Sequence, residues 1–422
     1  MNSANTKIKD ILFLCVLLVF GTMTISAQER NDSISSSSAD ADHIKVSLVT
    51  CSPGQLVYEL FGHTAIRVED PNRHQDLVFN YGVFNFNTDN FVYRFVKGET
   101  DYELGVVEWK YFIQEYAKRG SSIDIQEIDL TEDEKVEVVN YLLNNYEPRN
   151  RTYRYNYFYD NCTTRARDVI EESVAGQVVY IPVNNNLTFR DIVHQFTDEH
   201  PWSELGIDFC LGAEADRPID QRLQMFVPSY TEKMFTSAII KDIDGNNRRM
   251  VRKAFQALPV GHQPKSEEFP LSPMTVFWTL FVISVGIVLL EQKFRKIFWG
   301  VDIIVGVLHG LGGVVVAFLF FFSVHPTVGS NWLVLVFNPL WLIWLPFSVV
   351  WTIHHRSDRI HIINVLVLLV FLASMPFIPQ VFNECIYPIL LTFCLRSVSH
   401  LLWQYHPSSL VQRLSFRRRK HS

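Results

Sequence analysis

Two side chains in this sequence have the type and the setting for covalent chemistry. Cys162 lies in YNYFYDNCTTRARDVIEE, residues 155–172, between an aromatic run and the first turn of a predicted helix that Asp160 or Asn161 would cap. Backbone N–H groups and the helix dipole favour a thiolate at such a position, lowering a thiol pKa from ~8.5 towards ~7 or below. Arg165 and Arg167 add positive charge nearby. A thiolate attacks carbonyl carbons when a base manages the protons, and His63, after Gly62 in YELFGHTAIRVED, offers an imidazole for that task. Plainer roles compete for Cys162: a disulfide with Cys51 or Cys210, or a small core residue. An exported segment holding three cysteines leaves at least one unpaired within the chain.

These residues need elements to hold them. HIKVSLVTCS, GHTAIRVED and DLVFNYGVF read as three strands, with Asp70-Pro71 opening the turn before the third. LTEDEKVEVVNYLLNNY reads as a helix with a capping box, Thr131 at the cap and Glu134 three residues on. The acidic run there is charge suited to a helix N-terminus rather than a catalytic carboxylate pair. RTYRYNYFYD alternates, so an extended chain puts Tyr153, Tyr155, Tyr157 and Tyr159 on one face, packed beside a sheet or lining a greasy groove. There is no HExxH, CxxC, Gly-rich phosphate loop or GxSxG elbow, so neither a metal nor a cofactor is expected.

The 422 residues are 48% hydrophobic but unevenly so. Residues 1–27 read as a signal peptide, with Lys7 and Lys9 before an apolar core and Ser26-Ala27 at the cleavage site. Cys15 does not make a lipoprotein signal, because Leu14 before it is not small. A Ser-rich linker follows over 28–43, then an exported domain over 44–240 and a charged linker over 241–273. Apolar runs at 274–290, 298–323, 332–353, 360–378 and 381–402 each approach the ~20 residues that span a bilayer. EQKFRK, HHRSDR and the basic tail at 403–422 fall on one side, while HPTVGSN and the turn at Pro379 carry no Lys or Arg. Positive charge inside then puts the polar domain outside and the C-terminus in the cytoplasm. Within the spans, Asp302 and Arg396 read as snorkelling ends, His309 as a polar residue of interest, and GVLHGLGG as a close-packing stripe. A net charge of -6 without a long basic block argues against nucleic acid.

A strand-borne GHTAIRV about a hundred residues before YNYFYDNCTTRARDVI resembles the permuted papain-like thiol enzymes of the NlpC/P60 superfamily, including the lecithin:retinol acyltransferase group. More closely, VSLVTCSPGQLVYELFGHTAIRVED, FNYGVFNF and NFVYRFVKGETDYELGV, with the cysteine segment, resemble the N-terminal periplasmic domain of the Bacteroidota lipoprotein N-acyltransferase family. The resemblance covers residues 45–174 well, and the membrane part in layout. It implies an α+β papain-like exported domain ahead of an all-α five-helix transmembrane domain, in the inner membrane. The implied activity moves an acyl chain from a membrane phospholipid, through a thioester on Cys162, to the amino group of a diacylglyceryl-modified N-terminal cysteine. His63 would then handle the protons. A third, orienting member does not transfer cleanly: Asn80 or Tyr81 on the next strand, or His74, stand as candidates. Asn161 or backbone N–H groups would form the oxyanion hole. The same Cys–His pair also suits a membrane-tethered peptidoglycan amidase or endopeptidase, and a disulfide-bonded Cys162 would suit an envelope sensor or assembly protein.

Overall fold

The computed structural model describes residues 43–83, 90–183, 185–263 and 269–405. The signal peptide, most of the Ser-rich linker and the end of the basic tail lie outside the described residues. The chain divides into two compact units, Met1–Thr197 with Pro218–Glu267, and Asp198–Arg217 with Glu268–Ser422.

The first unit is α+β. Its strands are β1 Lys45–Cys51, β2 His63–Asp70, β3 Gln75–Val83, β4 Asp101–Glu108, β5 Ile123–Ile128, β6 Thr152–Arg154, β7 Gly176–Val179, β8 Ile239–Asp242, β9 Asn247–Arg249 and β10 Val251–Leu258. Seven of them form one sheet, ordered β10-β5-β1-β2-β3-β4-β6, with every neighbouring pair antiparallel. The other three make a small sheet, β7-β8-β9. The helices are α1 Phe91–Lys97, α2 Trp109–Arg119, α3 Glu132–Tyr146, α4 Cys162–Glu172, α5 Phe189–Thr197, α6 Pro201–Cys210, α7 Gln221–Gln224 and α8 Pro228–Ser237, of which α6 belongs to the second unit.

Alternation along the strands sorts the large sheet into two covered faces. Val46, Leu48, Ile66, Phe79 and Tyr81 pack against Val138 and Leu142 of α3, Ala166 and Ile170 of α4, and Phe235 of α8. Val49, Cys51, Ala65, Val78 and Ile125 pack against Phe112 and Tyr116 of α2. Burial of each such apolar side chain contributes about 1.5–3 kcal/mol. Helix α3 opens on the expected capping box, with Thr131 and Glu134 bonding each other's backbone N–H groups. Glu134 also receives Arg248 and the Ala175 N–H, so the acidic run is structural.

Two expectations about the chain's layout change. Residues 241–258, read as linker, carry β9 and β10, and β10 is an edge strand of the main sheet. The charged run ahead of it, KDIDGNNRR, hides a strand most of which is solvent-exposed. The segment 198–217, read as part of the exported domain, packs within the second unit. Phe209 stacks edge-on to Phe337 at 4.8 Å, Asn331 donates to the Phe209 carbonyl, and Gln380 donates to the Leu211 carbonyl.

The second unit also contains α9 Pro273–Phe294, α10 Trp299–Phe322, α11 Leu340–Ile353, α12 Ile360–Ser374 and α13 Ile386–Tyr405. Among its described residues, five segments are long and apolar enough to cross a membrane. The third, Trp332–Ile353, begins as a 3-10 turn and becomes α-helical only after Pro339, where Pro at the cap sets a new start. Gly306 and Gly310 let Leu345 and Leu342 of α11 close on α10 at distances no Cβ would allow. Asp302 and Arg396 do not snorkel. Arg396 is buried and donates to Asp302 at 2.8 Å and to both oxygens of Glu291 at 2.9 and 3.0 Å. His400 Nε2 sits 2.9 Å from Asp302, and Ser399 donates to Glu291. This network joins α9, α10 and α13, and buried charges that satisfy one another inside a bundle cost far less than unpaired ones. His309 spends its Nε2 on the Val336 carbonyl at 2.7 Å and stacks on Phe393 at 4.1 Å, which is packing.

Candidate active site

Cys162 is the first residue of α4, and Asn161 is its cap. Asn161 Oδ1 accepts from the Thr163 and Thr164 N–H groups at 2.8 and 3.0 Å. Its Nδ2 donates to the carbonyls of Tyr157 and Phe226 at 2.8 and 2.9 Å. All four hydrogen-bonding positions of the amide are therefore used in fixing the helix start. That leaves the Asn161 side chain no proton for an oxyanion, and the candidate role falls to backbone N–H groups. Asp160, the other predicted cap, instead pairs with Arg165 at 2.6 and 2.8 Å. The Arg165 guanidinium lies 3.6 Å over the Tyr153 ring, and Arg167 pairs with Asp168. Neither arginine is left to serve the thiol.

The aromatic run does not stay extended. It pairs as a strand only over Thr152–Arg154; Asn156 Oδ1 then accepts from the Phe158 and Tyr159 N–H groups and turns the chain. Tyr153 and Phe158 go inward and Tyr159 outward, so the four tyrosines do not share a face.

His63 is the first residue of β2, paired across the sheet with Cys51. Gly62 before it has a φ of +75°, and a Cβ there would lie 2.5 Å from the Cys51 carbonyl oxygen. The glycine thus admits neighbouring backbone and sets the angle at which the strand begins. His63 and Ala65 face α2, where the imidazole lies parallel to the Tyr116 ring at 6.4 Å. Thr64 faces α4, and its hydroxyl lies 3.1 Å from that of Thr163, fixing the helix start against the strand start.

His63 Nε2 lies 3.1 Å from Asn80 Oδ1 on β3. An amide oxygen only accepts, so Nε2 carries the proton and Nδ1 is the ring nitrogen left for the sulfur. The imidazole hydrogen-bonds the Cys162 thiol, which also receives the Thr64 backbone N–H and lies 3.8 Å from Thr163 Oγ1. Burial alone would push this thiol up; the charge and hydrogen bond of His63, with the Thr64 and Thr163 contacts, outweigh it and bring the pKa from 9.0 to about 7. Burial likewise works against His63, and the Cys162 thiolate together with Asn80 overcomes it, raising the imidazole above its ordinary range. The pair is poised as thiolate and imidazolium.

The other candidates lie elsewhere. Tyr81 follows Asn80, so the pleat turns it to the opposite face, where it is buried against Tyr153. His74 occupies the turn after β2, at the far end of an eight-residue strand and ~23 Å from His63. Cys51 is buried, held well above its ordinary range first by desolvation, and hydrogen-bonded to Tyr116. All five described cysteines are free, so no disulfide holds Cys162. Thr64 and Thr163 were not singled out from sequence; hydroxyls beside a histidine and a cysteine carry no signal until the two segments are known to touch. Beside the sulfur the wall is Gly82, where a Cβ would stand 3.7 Å from that of Cys162.

An α+β unit on an antiparallel sheet, bearing a Cys–His–Asn array and followed by five long apolar helices, defines a membrane protein with a thiol-bearing N-terminal domain. The Lnb N-terminal periplasmic domain matches residues 30–195, and the Lnb transmembrane domain matches residues 264–408. The chain belongs to the Lnb family, with its N-terminal domain periplasmic. Neither a curated protein nor a solved structure matches it.

Proposed function

We propose that this protein is a lipoprotein N-acyltransferase using a papain-like cysteine mechanism, as the Lnb family name and the resemblance of its motifs suggest. The observation that carries the reading is the hydrogen-bonded series Cys162–His63–Asn80, with the thiol pKa brought to about 7 by the imidazole. Cys162 Sγ attacks the ester carbonyl of a membrane phospholipid, and His63 protonates the departing lysophospholipid alkoxide, leaving a thioester. The α-amino group of a diacylglyceryl-cysteine then attacks that thioester, gives its proton to His63, and releases the thiolate. Asn80 keeps the imidazole in the tautomer and plane this needs. The Cys162 backbone N–H, at the positive end of α4, faces the developing oxyanion. A domain tethered to five spans remains in the compartment of two membrane-bound substrates, which raises their effective concentration.

The inner-membrane topology with a cytoplasmic C-terminus follows the same reading. Segment 198–217 is flanked on both sides by periplasmic sequence and bonds Ser330, Asn331, Gln380 and Val381. Those connections between spans then share the periplasmic side, and the arginine-rich connections face inward.

The test is incubation of the purified full chain with phospholipid and a diacylated lipopeptide, followed by mass spectrometry. The lipopeptide should gain one acyl chain and lysophospholipid should appear, with neither product from Cys162→Ser or His63→Ala. Cleavage of peptidoglycan fragments with no acyl transfer would make the protein an amidase or endopeptidase instead.

A further inference from the structure

Tyr157 has a buried hydroxyl with no hydrogen-bond partner in the protein. Such a group is costly to bury relative to a satisfied one, so its retention calls for a reason. Its position supplies one. The ring stands edge-on to Phe61 at 5.3 Å, two residues before His63. Its own carbonyl is held by Asn161, the residue before Cys162. The phenol is thereby anchored to both segments that bring sulfur and imidazole together. Cys162 is the ionisable group whose charge reaches it; burial first and that thiolate second hold the phenol well above its ordinary range, so it remains an O–H donor at any working pH.

We propose that the Tyr157 hydroxyl is the side-chain donor of the oxyanion hole, acting with the Cys162 backbone N–H. This rests on the reading of Cys162 as the acyl-accepting nucleophile. As Sγ bonds to the acyl carbon, the carbonyl π pair moves onto oxygen, and the O–H of Tyr157 donates a hydrogen bond to that oxyanion without giving up its proton. Collapse restores the carbonyl and expels the leaving oxygen, which takes its proton from His63. The orphan hydroxyl thus gains its partner only while the tetrahedral intermediate exists, which is where a donor accelerates reaction rather than tightening substrate binding. Tyr153 makes a suitable comparison. Its hydroxyl is also buried without a partner and the Cys162 charge reaches it too, but its ring packs under the Arg165 guanidinium in the sheet's core, and it is the Tyr157 carbonyl, not its own, that Asn161 holds.

Tyr157→Phe and Tyr153→Phe of the full chain separate these roles when Cys162 meets two electrophiles. p-Nitrophenyl butyrate acylates through an oxyanion; dipyridyl disulfide reacts at sulfur and forms none. Tyr157→Phe should slow the nitrophenol burst ~100-fold, as loss of one oxyanion donor does, while the disulfide reaction and its pH profile stay within ~2-fold of wild type. Its melting temperature should hold or rise, since an unsatisfied buried group is gone. Tyr153→Phe should leave both reactions within ~2-fold. A wild-type nitrophenol burst in Tyr157→Phe overturns the proposal, as does an equal slowing with both electrophiles, which would mean displaced sulfur. Should the ester result hold while phospholipid fails to acylate even the wild type, the acyl donor was misassigned and the oxyanion role stands.

Discussion

The pairing of His63 with Cys162 makes a prediction whose sign changes with pH. Replacing His63 by Ala removes the imidazole that opposes burial, so the Cys162 pKa should return from about 7 to its ordinary 9.0 or higher. At pH 6 the thiolate fraction then falls from roughly one-tenth to one-thousandth, a loss of about 90-fold; at pH 9 it falls only about 2-fold. A thiolate of higher pKa is intrinsically more nucleophilic. With a Brønsted slope of about 0.4–0.5, two units of pKa return roughly 6- to 10-fold. The net expectation is a variant about 10-fold slower than wild type towards dipyridyl disulfide at pH 6, equal near pH ~8, and about 4-fold faster at pH 9. The assay is the initial rate of label on the Cys162 peptide, read by mass spectrometry over pH 5–10, which keeps the buried cysteines out of the signal. Residual burial moves the crossing further alkaline and does not abolish it. A variant midpoint still near 7, or a loss of equal size at every pH, would refute the imidazole as the cause of the low thiol pKa.

Other substitutions test the supports. Asn80→Ala removes a contact that raises the His63 pKa, so the Cys162 midpoint should move up, by less than in His63→Ala, and acyl transfer should fall about 10-fold; an unmoved midpoint would put the orienting role elsewhere. Asn161→Asp keeps the oxygen that caps α4 but loses both Nδ2 bonds and sets a negative charge beside the thiol. The midpoint should again rise, and differential scanning should show a loss of about 1–2 kcal/mol. Arg396→Met takes from Glu291 and Asp302 the guanidinium they share and leaves them with Ser399, the Phe298 N–H and His400, so detergent-solubilised protein should be destabilised by about 3–5 kcal/mol, whereas an unchanged melting temperature would mean those carboxylates do not depend on the arginine. Labelling in denaturant without reductant should modify Cys51, Cys162, Cys210, Cys385 and Cys394, and any one of them protected until reduction would reveal a disulfide.

Much of the site was legible because its parts are local. A cap, a helix start and a cysteine fit in the four residues from Asn161 to Thr164, and Gly-His at a strand start fits in two. The contacts that complete it are between segments and left weaker traces. Asn80 and Tyr81 were equal candidates in sequence; only the pleat of β3, with its register against β2, decides which of them faces the imidazole. The Asn161 amide is polar and adjacent to Cys162, as an oxyanion donor would be, but its two protons are spent on carbonyls, one of them at Phe226, 65 residues away. The aromatic alternation failed at Asn156, whose side chain competes with the strand ladder for backbone N–H groups.

Hydropathy explains the two errors of layout. An edge strand such as β10 has one neighbour and a wet surface, so behind a charged run it reads on as linker, and it is the ladder with β5, from Val251–Ile128 to Leu258–Ile123, that shows it belongs to the sheet. Segment 198–217 fails in the opposite direction. Its residues are those of a short soluble helix, yet its unsatisfied carbonyls at Phe209, Cys210 and Leu211 find donors on Asn331 and Gln380, two amides placed between apolar runs. Those amides were the available signal. An Asn or Gln at the end of a membrane span needs a partner, and a helix C-terminus with free carbonyls is the partner that satisfies it without burying a charge. The same reasoning gives the segment a part in the fold: replacing Asn331 by Leu would take away the donor to the Phe209 and Cys210 carbonyls, so loss of stability of the helical unit, rather than of the Cys162 pH profile, is the expected result.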